Sequence, residues 1–372
     1  MIFPGQPMGQ PMGRMRFQLD WTIFLLIGAI AAVGLLNLYS ASGGSLSGRF
    51  LQQIYWFILG TSAFLVVATI DYRQYNHYGY WIYAGGLLLL FLTLLVGRRV
   101  KGSTRWIGYG ALGVQPSELI KIVVIIGLAK YLHQDPRIEG RGLKDLAGPF
   151  ALVTAPVALI LAQPDLGTSL LVILIFFSLM LMTKLKLRSF LLLMSSMVII
   201  APLTWTLLLK DYQKRRFLSF LDPEADPTGA GYHLKQSLIA IGSGELTGKG
   251  FQQGTQSHLR FLPESWTDFP FAVWAEEWGF IGSVVLLGLY LFLIVWGINL
   301  ARTARDRFAS VLSMGVAVMF FWHVLINIGM VSGLLPIVGV TLPLVSYGGS
   351  SVLTFMIGAG LLMNVSIRRY SY

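Results

Sequence analysis

Long apolar stretches recur along the whole chain, and they constrain its fold more than any other feature. They fall near 21–40, 51–70, 79–97, 115–132, 146–162, 166–183, 189–209, 271–300, 308–331 and 342–365. A helix needs roughly 17 to 25 such residues to cross a bilayer. Only 12% of the residues are charged, against roughly 25% in a typical soluble protein. The sequence therefore predicts an all-α polytopic membrane protein with about ten transmembrane helices.

The sequence predicts a single transmembrane domain over residues 1–372, because no linker-like segment divides the chain. Residues 1–18 are rich in Gly, Pro and Met and lack a clear cleavage site, which predicts a flexible cytoplasmic lead-in. Lys and Arg are more numerous in the segments that lie on the same side of the membrane as the N-terminus. Because cytoplasmic loops carry an excess of these residues, both termini are expected to be cytoplasmic. Segment 210–270 is then a large extracytoplasmic loop between helices 7 and 8, and an ordered loop of that length is usually functional.

Composition excludes several other classes. The chain has no Cys, which rules out disulfides and thiolate metal sites, and its five His residues show no metal-ligand spacing. The net charge of +11 fits cytoplasmic loops that meet anionic lipid better than it fits a nucleic-acid partner.

The fourth apolar run is the least lipid-like, because it contains Glu118 and Lys121. Residues three apart share one face of a helix, so the two charges can neutralise each other in a structural pair. Ionisable groups at membrane depth also often line a substrate or ion path. Asp165, in the turn before the sixth run, likewise has one structural and one functional interpretation. It caps that helix, or it points into the same outer cavity as Glu118.

Segment 261–269 is the richest in chemistry, with Glu264 and Asp268 just before the eighth run. Asp268 stands between Trp266 and Phe269, which can partly desolvate it and thereby make its carboxylate a better base. Glu276 and Glu277 follow in the first turns of the helix. There, an interaction with the helix dipole is the simpler explanation.

Three further stretches contain polar candidates. The Gly-rich turn 242–250 fails the Walker pattern, yet its Lys249 could meet a lipid diphosphate as a point charge. The small residues of 346–351, including Ser350, either allow close helix approach or form a hydroxyl-lined patch for sugar or phosphate. His323 and Asn327 face one way on the ninth run, which predicts hydrogen bonds between helices.

From about Trp21 onward the sequence resembles the RodA/FtsW proteins, also called SEDS (shape, elongation, division and sporulation). The matching stretches lie at 38–42, 102 with 105–106, 115–118 with 121, 163–168, 236–237 with 239–244, 248–250, 254–257, 261–264, 267–269, 276–277, 333–336 and 342–351. The stretches at 254–257 and 342–347 look more like the elongation branch. The family usually has a basic residue and His before Thr-Asp-Phe, where this chain has Ser265 and Trp266.

The resemblance implies a peptidoglycan glycosyltransferase of the bacterial cytoplasmic (inner) membrane. It would polymerise lipid II into glycan strands during cell elongation and rod-shape maintenance, with its active site on the outer face. The family's catalytic acid maps to Asp268, and its cavity residues map to Glu118, Lys121 and Asp165. The resemblance also implies a partner, a class B penicillin-binding protein transpeptidase, within the elongation machinery.

The chemistry of this transfer suits the residues. A carboxylate in the outer loop can take the proton of the acceptor hydroxyl, with Glu264 as the next acid after Asp268. Cations must receive the charge of the leaving diphosphate, and Lys121, Arg105 and Lys249 are the candidates. The sequence identifies no certain cofactor; a divalent cation such as Mg²⁺ is chemically plausible beside a diphosphate, but no ligand cluster demands it. A lipid II flippase or a non-catalytic scaffold of the cell-wall machinery remains the alternative.

Overall fold

The computed structural model describes residues 20–369, except 101–102, 109–112, 136–139, 184, most of 193–209, 228, 260 and 263. The described α-helices are α1 (Trp21–Ala41), α2 (Gly48–Thr69), α3 (Tyr72–His77), α4 (Gly79–Val96), α5 (Pro116–Gln134), α6 (Ala147–Ala162), α7 (Leu166–Leu181), α8 (Asp211–Leu221), α9 (Ala230–Ser243), α10 (Thr255–His258), α11 (Pro270–Arg302), α12 (Arg307–Val331) and α13 (Gly349–Arg368). One antiparallel hairpin joins β1 (Arg98–Val100) to β2 (Ser103–Trp106).

Membrane-spanning helices dominate the described part of the chain. Seven helices there are long and apolar enough to cross a bilayer: α1, α2, α4, α6 with the preceding turn, α11, α12 and α13. Two other predicted runs form α5, which carries internal charges, and α7, which has 16 residues. The all-α polytopic fold is thus confirmed. The predicted lead-in 1–18 and most of the seventh run, 189–209, lie outside the described residues.

The last helix begins later than the apolar run 342–365 predicts. Residues 342–348 form turns, and α13 starts only at Gly349. Leu344 adopts a φ of 63°, and the amide of Leu342 donates to the hydroxyl of Ser346 at 2.8 Å. Apolar composition alone could not separate this buried turn from the helix that follows it, because both are screened from solvent.

Helix α5 lies at the centre of the bundle and packs against α4, α6, α7, α12 and α13. It starts at Pro116, and proline is favoured in the first turn of a helix. Glu118 and Lys121 are buried together with most of the helix. This burial agrees with the least lipid-like character of the run, because its two charges lie among helices rather than against lipid.

Helix α11 is interrupted at Gly279, where φ is 63° and ψ is −158°. The turn after α9 fills the break: the amides of Phe280 and Ile281 donate to the carbonyls of Glu245 and Leu246 at 2.9 and 3.1 Å. A Cβ at position 279 would lie 2.3 Å from the backbone nitrogen of Gly248. The close approach therefore requires glycine, and the interrupted backbone stays hydrogen-bonded.

Segment 210–270 contains ordered structure. Helix α9 accounts for 14 of its residues. Helix α9 packs against α11 and α12, and the hydroxyl of its Ser237 donates to the carbonyl of Val331 at 2.7 Å. These contacts attach the loop firmly to the transmembrane bundle.

Candidate functional site

A buried ion pair lies at the start of α5. The Nζ of Lys121 is 2.7 Å from Oε2 of Glu118, and the side chain of Lys121 has no exposed surface. The same Nζ lies 2.8 Å from Nε2 of His323 on α12. The predicted pairing on one helix face is confirmed, and a third group, distant in sequence, completes it. Charges buried this deeply are costly unless they are paired and hydrogen-bonded.

Asp165 caps α7 and lies against the same end of α5. Its carboxylate accepts from the amide and the hydroxyl of Thr168 at 3.3 and 3.0 Å. It also accepts from Gln115 Nε2 at 3.1 Å and from the Ser117 hydroxyl at 3.3 Å. Ser117 directly precedes Glu118. The capping interpretation is therefore confirmed, and the carboxylate also bonds two residues at the start of α5, next to Glu118. That Asp165 faces an outer cavity stays a prediction.

Arg105, on β2, holds the turn that contains Asp165. Its Nε donates to the carbonyl of Gln163 at 3.0 Å, and Nη2 donates to the carbonyl of Pro164. Nη1 lies 3.8 Å from the Asp165 carboxylate, and a quarter of the side chain is exposed. The guanidinium has five donors. It can fix this turn and still offer N–H groups to an anion.

Ser350 lies in the first turn of α13 and contacts α5 rather than an open patch. Its hydroxyl accepts from the amide of Gln115 at 2.7 Å, and the residue is 2% exposed. The neighbouring Ser351 shares a hydrogen bond of 2.9 Å with the hydroxyl of Thr341. The hydroxyls of this stretch therefore fix the start of α5 and the turns before α13.

The acid-bearing segment before α11 folds as a tight turn around Glu264, whose φ is 53°. The carbonyl of Glu264 accepts from the amides of Thr267 and Asp268, both at 3.1 Å, and its carboxylate accepts from the hydroxyl of Thr267 at 3.2 Å. Asp268 is half-buried, and the next residue, Phe269, is buried. This placement agrees with the expectation that Asp268 is partly desolvated.

Trp266 contacts a cation from another element. The guanidinium carbon of Arg49, on α2, lies 4.2 Å from the centroid of the indole ring. The carbonyl of Trp266 accepts from the amide of Tyr347 at 2.7 Å. Although residues 265 and 266 lack the positive charge usual in the family at this place, Arg49 brings one to the segment.

Asn327 attaches the same segment to α12. Its Nδ2 donates to the carbonyl of Asp268 at 3.0 Å and to the carbonyl of Val340 at 2.7 Å. Asn327 lies one helical turn from His323, which contacts Lys121. Four residues of α-helix rise about 6 Å. Neighbouring turns of α12 therefore contact the buried cation Lys121 and the backbone of Asp268.

Lys249 and the acids of α11 form a separate cluster. Glu276 is fully buried and accepts from Lys249 Nζ at 2.6 Å and from the amide of Thr255 at 2.8 Å. Glu277 accepts from the hydroxyl of Ser40 on α1. A dipole interaction at the helix start does not describe these acids, because their side chains bind other elements of the fold.

Sequence reasoning assigned no site role to His323, Asn327 or Arg49. His323 and Asn327 do bond other elements, as their shared helix face predicted. Their particular partners were not evident, because 202 residues separate Lys121 from His323. No pattern in the sequence connects the exposed cation Arg49 with Trp266.

Paired charges enclosed by membrane-spanning helices, with acids held at the end of the same bundle, define a class: polytopic membrane proteins with a polar site built between their helices. The chain belongs to the FtsW/RodA/SpoVE family, described as cell cycle proteins, whose family model matches residues 18–371. The resemblance seen in the sequence is thereby confirmed.

Individual relatives cover nearly the whole chain. The peptidoglycan glycosyltransferase MrdB of Escherichia coli K12 is 41% identical over 357 residues, which are 95% of each chain. A probable peptidoglycan glycosyltransferase FtsW of Geobacter metallireducens is 34% identical over 359 residues, 94% of this chain and 95% of the relative.

Solved structures match the fold over a similar extent. A chain from a structure described as "Structural coordination of polymerization and crosslinking by a peptidoglycan synthase complex" superimposes with a TM-score of 0.81, at 34% identity. The match covers 95% of this chain and 99% of that one. The Thermus thermophilus rod shape determining protein RodA superimposes with a TM-score of 0.72, at 31% identity over 96% and 99% of the two chains.

Proposed function

We propose that this chain is a peptidoglycan glycosyltransferase that polymerises lipid II at the outer face of the bacterial cytoplasmic membrane. One observation above all supports this: His323 and Asn327, one turn apart on α12, contact the buried cation Lys121 and the backbone carbonyl of Asp268. An acid that can act as a base and a buried cation, both attached to one helix, suit a transfer in which a proton is lost at one atom and negative charge develops at another.

The proposed reaction uses the two groups at opposite ends of the transferred sugar. The acceptor hydroxyl oxygen attacks the anomeric carbon of the donor and loses its proton to the Asp268 carboxylate. The bond from that carbon to the diphosphate oxygen breaks, and the lipid diphosphate leaves with the electron pair. Lys121 stabilises the developing negative charge, with Arg105 as a second donor from β2. Every step is a proton transfer or a substitution, so no oxidant or nucleotide is needed.

The other predicted substrate contacts have different degrees of support. Glu118 and Asp165 belong to the cluster around Lys121, where they are proposed to set its charge and position. Ser350 is proposed to act through the start of α5, which it holds. Glu264 shapes the turn that presents Asp268. Lys249 is engaged by buried Glu276, so a diphosphate would have to compete with that carboxylate.

The elongation branch is favoured by the greater identity to MrdB, 41%, than to the FtsW relative, 34%. A matching structure is described as that of a peptidoglycan synthase complex, which coordinates polymerisation and crosslinking. We therefore expect this chain to bind a class B penicillin-binding protein as part of the elongation machinery. A lipid II flippase remains the second candidate, because a buried acid–base cluster between helices also suits transport.

The deciding experiment is polymerisation of lipid II by the purified protein and by the variant Asp268→Asn. The amide keeps the shape of the side chain and removes its basicity, so activity should fall roughly 10²–10⁴-fold. The variant should still fold, because the amide keeps the shape of the side chain and the bonds from Asn327 and to Glu264 use the backbone of Asp268. Glu264→Gln, which neutralises the other acid of the same turn, is the matched control.

A well-folded Asp268→Asn protein that polymerises within about threefold of wild type, against the loss expected of a base, would contradict this role and make Glu264 the next candidate. Wild-type protein that moves lipid II between leaflets without making polymer would support the flippase instead.

A further inference from the structure

His323 is fully buried on α12, and both its ring nitrogens are engaged. Nε2 lies 2.8 Å from Lys121 Nζ, and Nδ1 lies 3.0 Å from the carbonyl oxygen of Thr341. A carbonyl oxygen only accepts, so Nδ1 must carry a hydrogen. A lysine ammonium only donates, so Nε2 must offer its lone pair. The two contacts therefore select one neutral tautomer of the imidazole and point its acceptor at Lys121.

The ring has little freedom to turn away from that arrangement. The edge of the imidazole packs on Phe355, with ring centroids 4.8 Å apart and an interplanar angle of 87°. Thr341, which accepts from Nδ1, is itself bonded to Ser351 at 2.9 Å. The acceptor that Lys121 meets is consequently fixed by α13 and by the turns before it.

The ammonium of Lys121 has three N–H donors. One is taken by Glu118 at 2.7 Å and one by His323. Two fixed acceptors leave the third donor with a defined direction, whereas Glu118 alone would allow the ammonium to rotate. Asn327, one turn further along α12, uses its amide nitrogen to donate to the carbonyls of Asp268 and Val340.

We propose that His323 is a positioning residue, which together with Glu118 fixes the Lys121 ammonium at the place from which its charge stabilises the departing diphosphate. Helix α12 serves as the spacer that sets the separation of Lys121 from Asp268. The proposal rests on the proposed function, since it assigns His323 a part in the same transfer. It adds a group that touches neither sugar nor phosphate and acts only through Lys121.

Two substitutions test the contacts of the two ring nitrogens independently. His323→Asn places an amide near Nδ1 and can keep the bond to Thr341, but it is too short to reach Lys121. His323→Gln reaches the position of Nε2 and can accept from Lys121. We expect kcat for lipid II polymerisation to fall at least about tenfold in His323→Asn, because small misplacements cost up to roughly 10²-fold. KM should stay within about threefold, and His323→Gln should recover most of kcat.

A double-mutant cycle with Lys121→Met supplies a readout that a purely structural role would not move. If His323 acts through Lys121, adding His323→Asn to Lys121→Met should cause no further loss of kcat. Multiplied losses, or equal losses in the Asn and Gln variants, would overturn the proposal. So would full activity of His323→Asn at the wild-type melting temperature.

The wild-type protein offers a second test, which needs no variant and can refute the tautomer on which the proposal depends. Nitrogen-15 chemical shifts of His323 should show a protonated Nδ1 and an unprotonated Nε2, and the opposite tautomer would refute the assignment. Failure of the wild-type protein to polymerise lipid II would instead contradict the proposed function, so the two failures are distinguishable.

Discussion

The carboxylate of Glu276 has no exposed surface, and it lies 2.6 Å from the Nζ of Lys249, whose side chain remains 27% exposed. The buried acid also accepts from the amide of Thr255 at 2.8 Å. Lys249 belongs to the turn after α9, and Glu276 belongs to α11. The pair therefore indicates a structural task for Lys249, which is to hold that turn against α11.

Lys249→Met should lower stability more than it lowers catalysis. Removing one partner of a buried pair costs roughly 3–5 kcal/mol, and the partial exposure of Lys249 reduces this to about 1–3 kcal/mol. Thermal melting in detergent measures the loss, and Lys249→Arg, which keeps the charge, is the matched control. A stable Lys249→Met protein with a strongly raised KM for lipid II would instead assign Lys249 to the diphosphate.

Exchanging the charges of Glu118 and Lys121 separates packing from chemistry. Either single change to Ala leaves an uncompensated buried charge, which costs roughly 3–5 kcal/mol. The double exchange Glu118→Lys with Lys121→Glu restores the pair but places a carboxylate against Nε2 of His323. We expect recovered folding, seen as a recovered melting temperature, without recovered polymerisation. Full polymerase activity in the exchanged protein would remove Lys121 from the groups that bind phosphate.

Membrane orientation can be tested by cysteine labelling, because the chain has no Cys of its own. Ser257→Cys, in the segment 210–270, should react with an impermeant maleimide added outside spheroplasts. Thr303→Cys, in the exposed turn between α11 and α12, is the cytoplasmic control and should react only after the membrane is opened. Labelling of position 257 from the cytoplasmic side alone would reverse the predicted topology.

Mild acid should loosen the region around α9. Burial lowers the pKa of His233 below its ordinary value of 6.5, although the carboxylates of Glu264 and Asp226 act in the opposite direction. The folded state resists protonation, while the unfolded state takes up a proton below about pH 6.5. The stabilisation is therefore fully present above that pH and declines as the pH falls toward the lowered pKa of the folded state. Hydrogen exchange of α9 amides at pH 5 and pH 7.5 measures this, and His233→Gln should remove the difference.

The local features of the site were predictable from sequence. Pro116 and the pair of Glu118 with Lys121 lie where helix-start rules and residue spacing place them, and Asp165 caps α7 as its turn predicted. Each of these features depends on residues within a few positions of one another, where the periodicity of a helix fixes the geometry.

The long-range features were not predictable in the same way. The partner of Glu276 is Lys249, which lies in a different element. The contact of Lys121 with His323 depends on how α5 and α12 pack. Within its own helix, Glu276 has no visible partner other than the helix dipole. Which side chains meet between helices is decided by packing, and the pattern along one chain does not encode it directly.

The break at Gly279 also limits how much of α11 lies within the hydrocarbon layer. A continuous helix of 33 residues would extend about 50 Å, well beyond the roughly 30 Å thickness of the hydrocarbon layer. Residues 280–302 alone measure about 34 Å, which matches that layer with a modest tilt. We therefore predict that Gly279 lies at the boundary of the hydrocarbon layer. The short helical arm over residues 270–279 would then lie at the level of the headgroups, where a polyprenyl diphosphate presents its sugar.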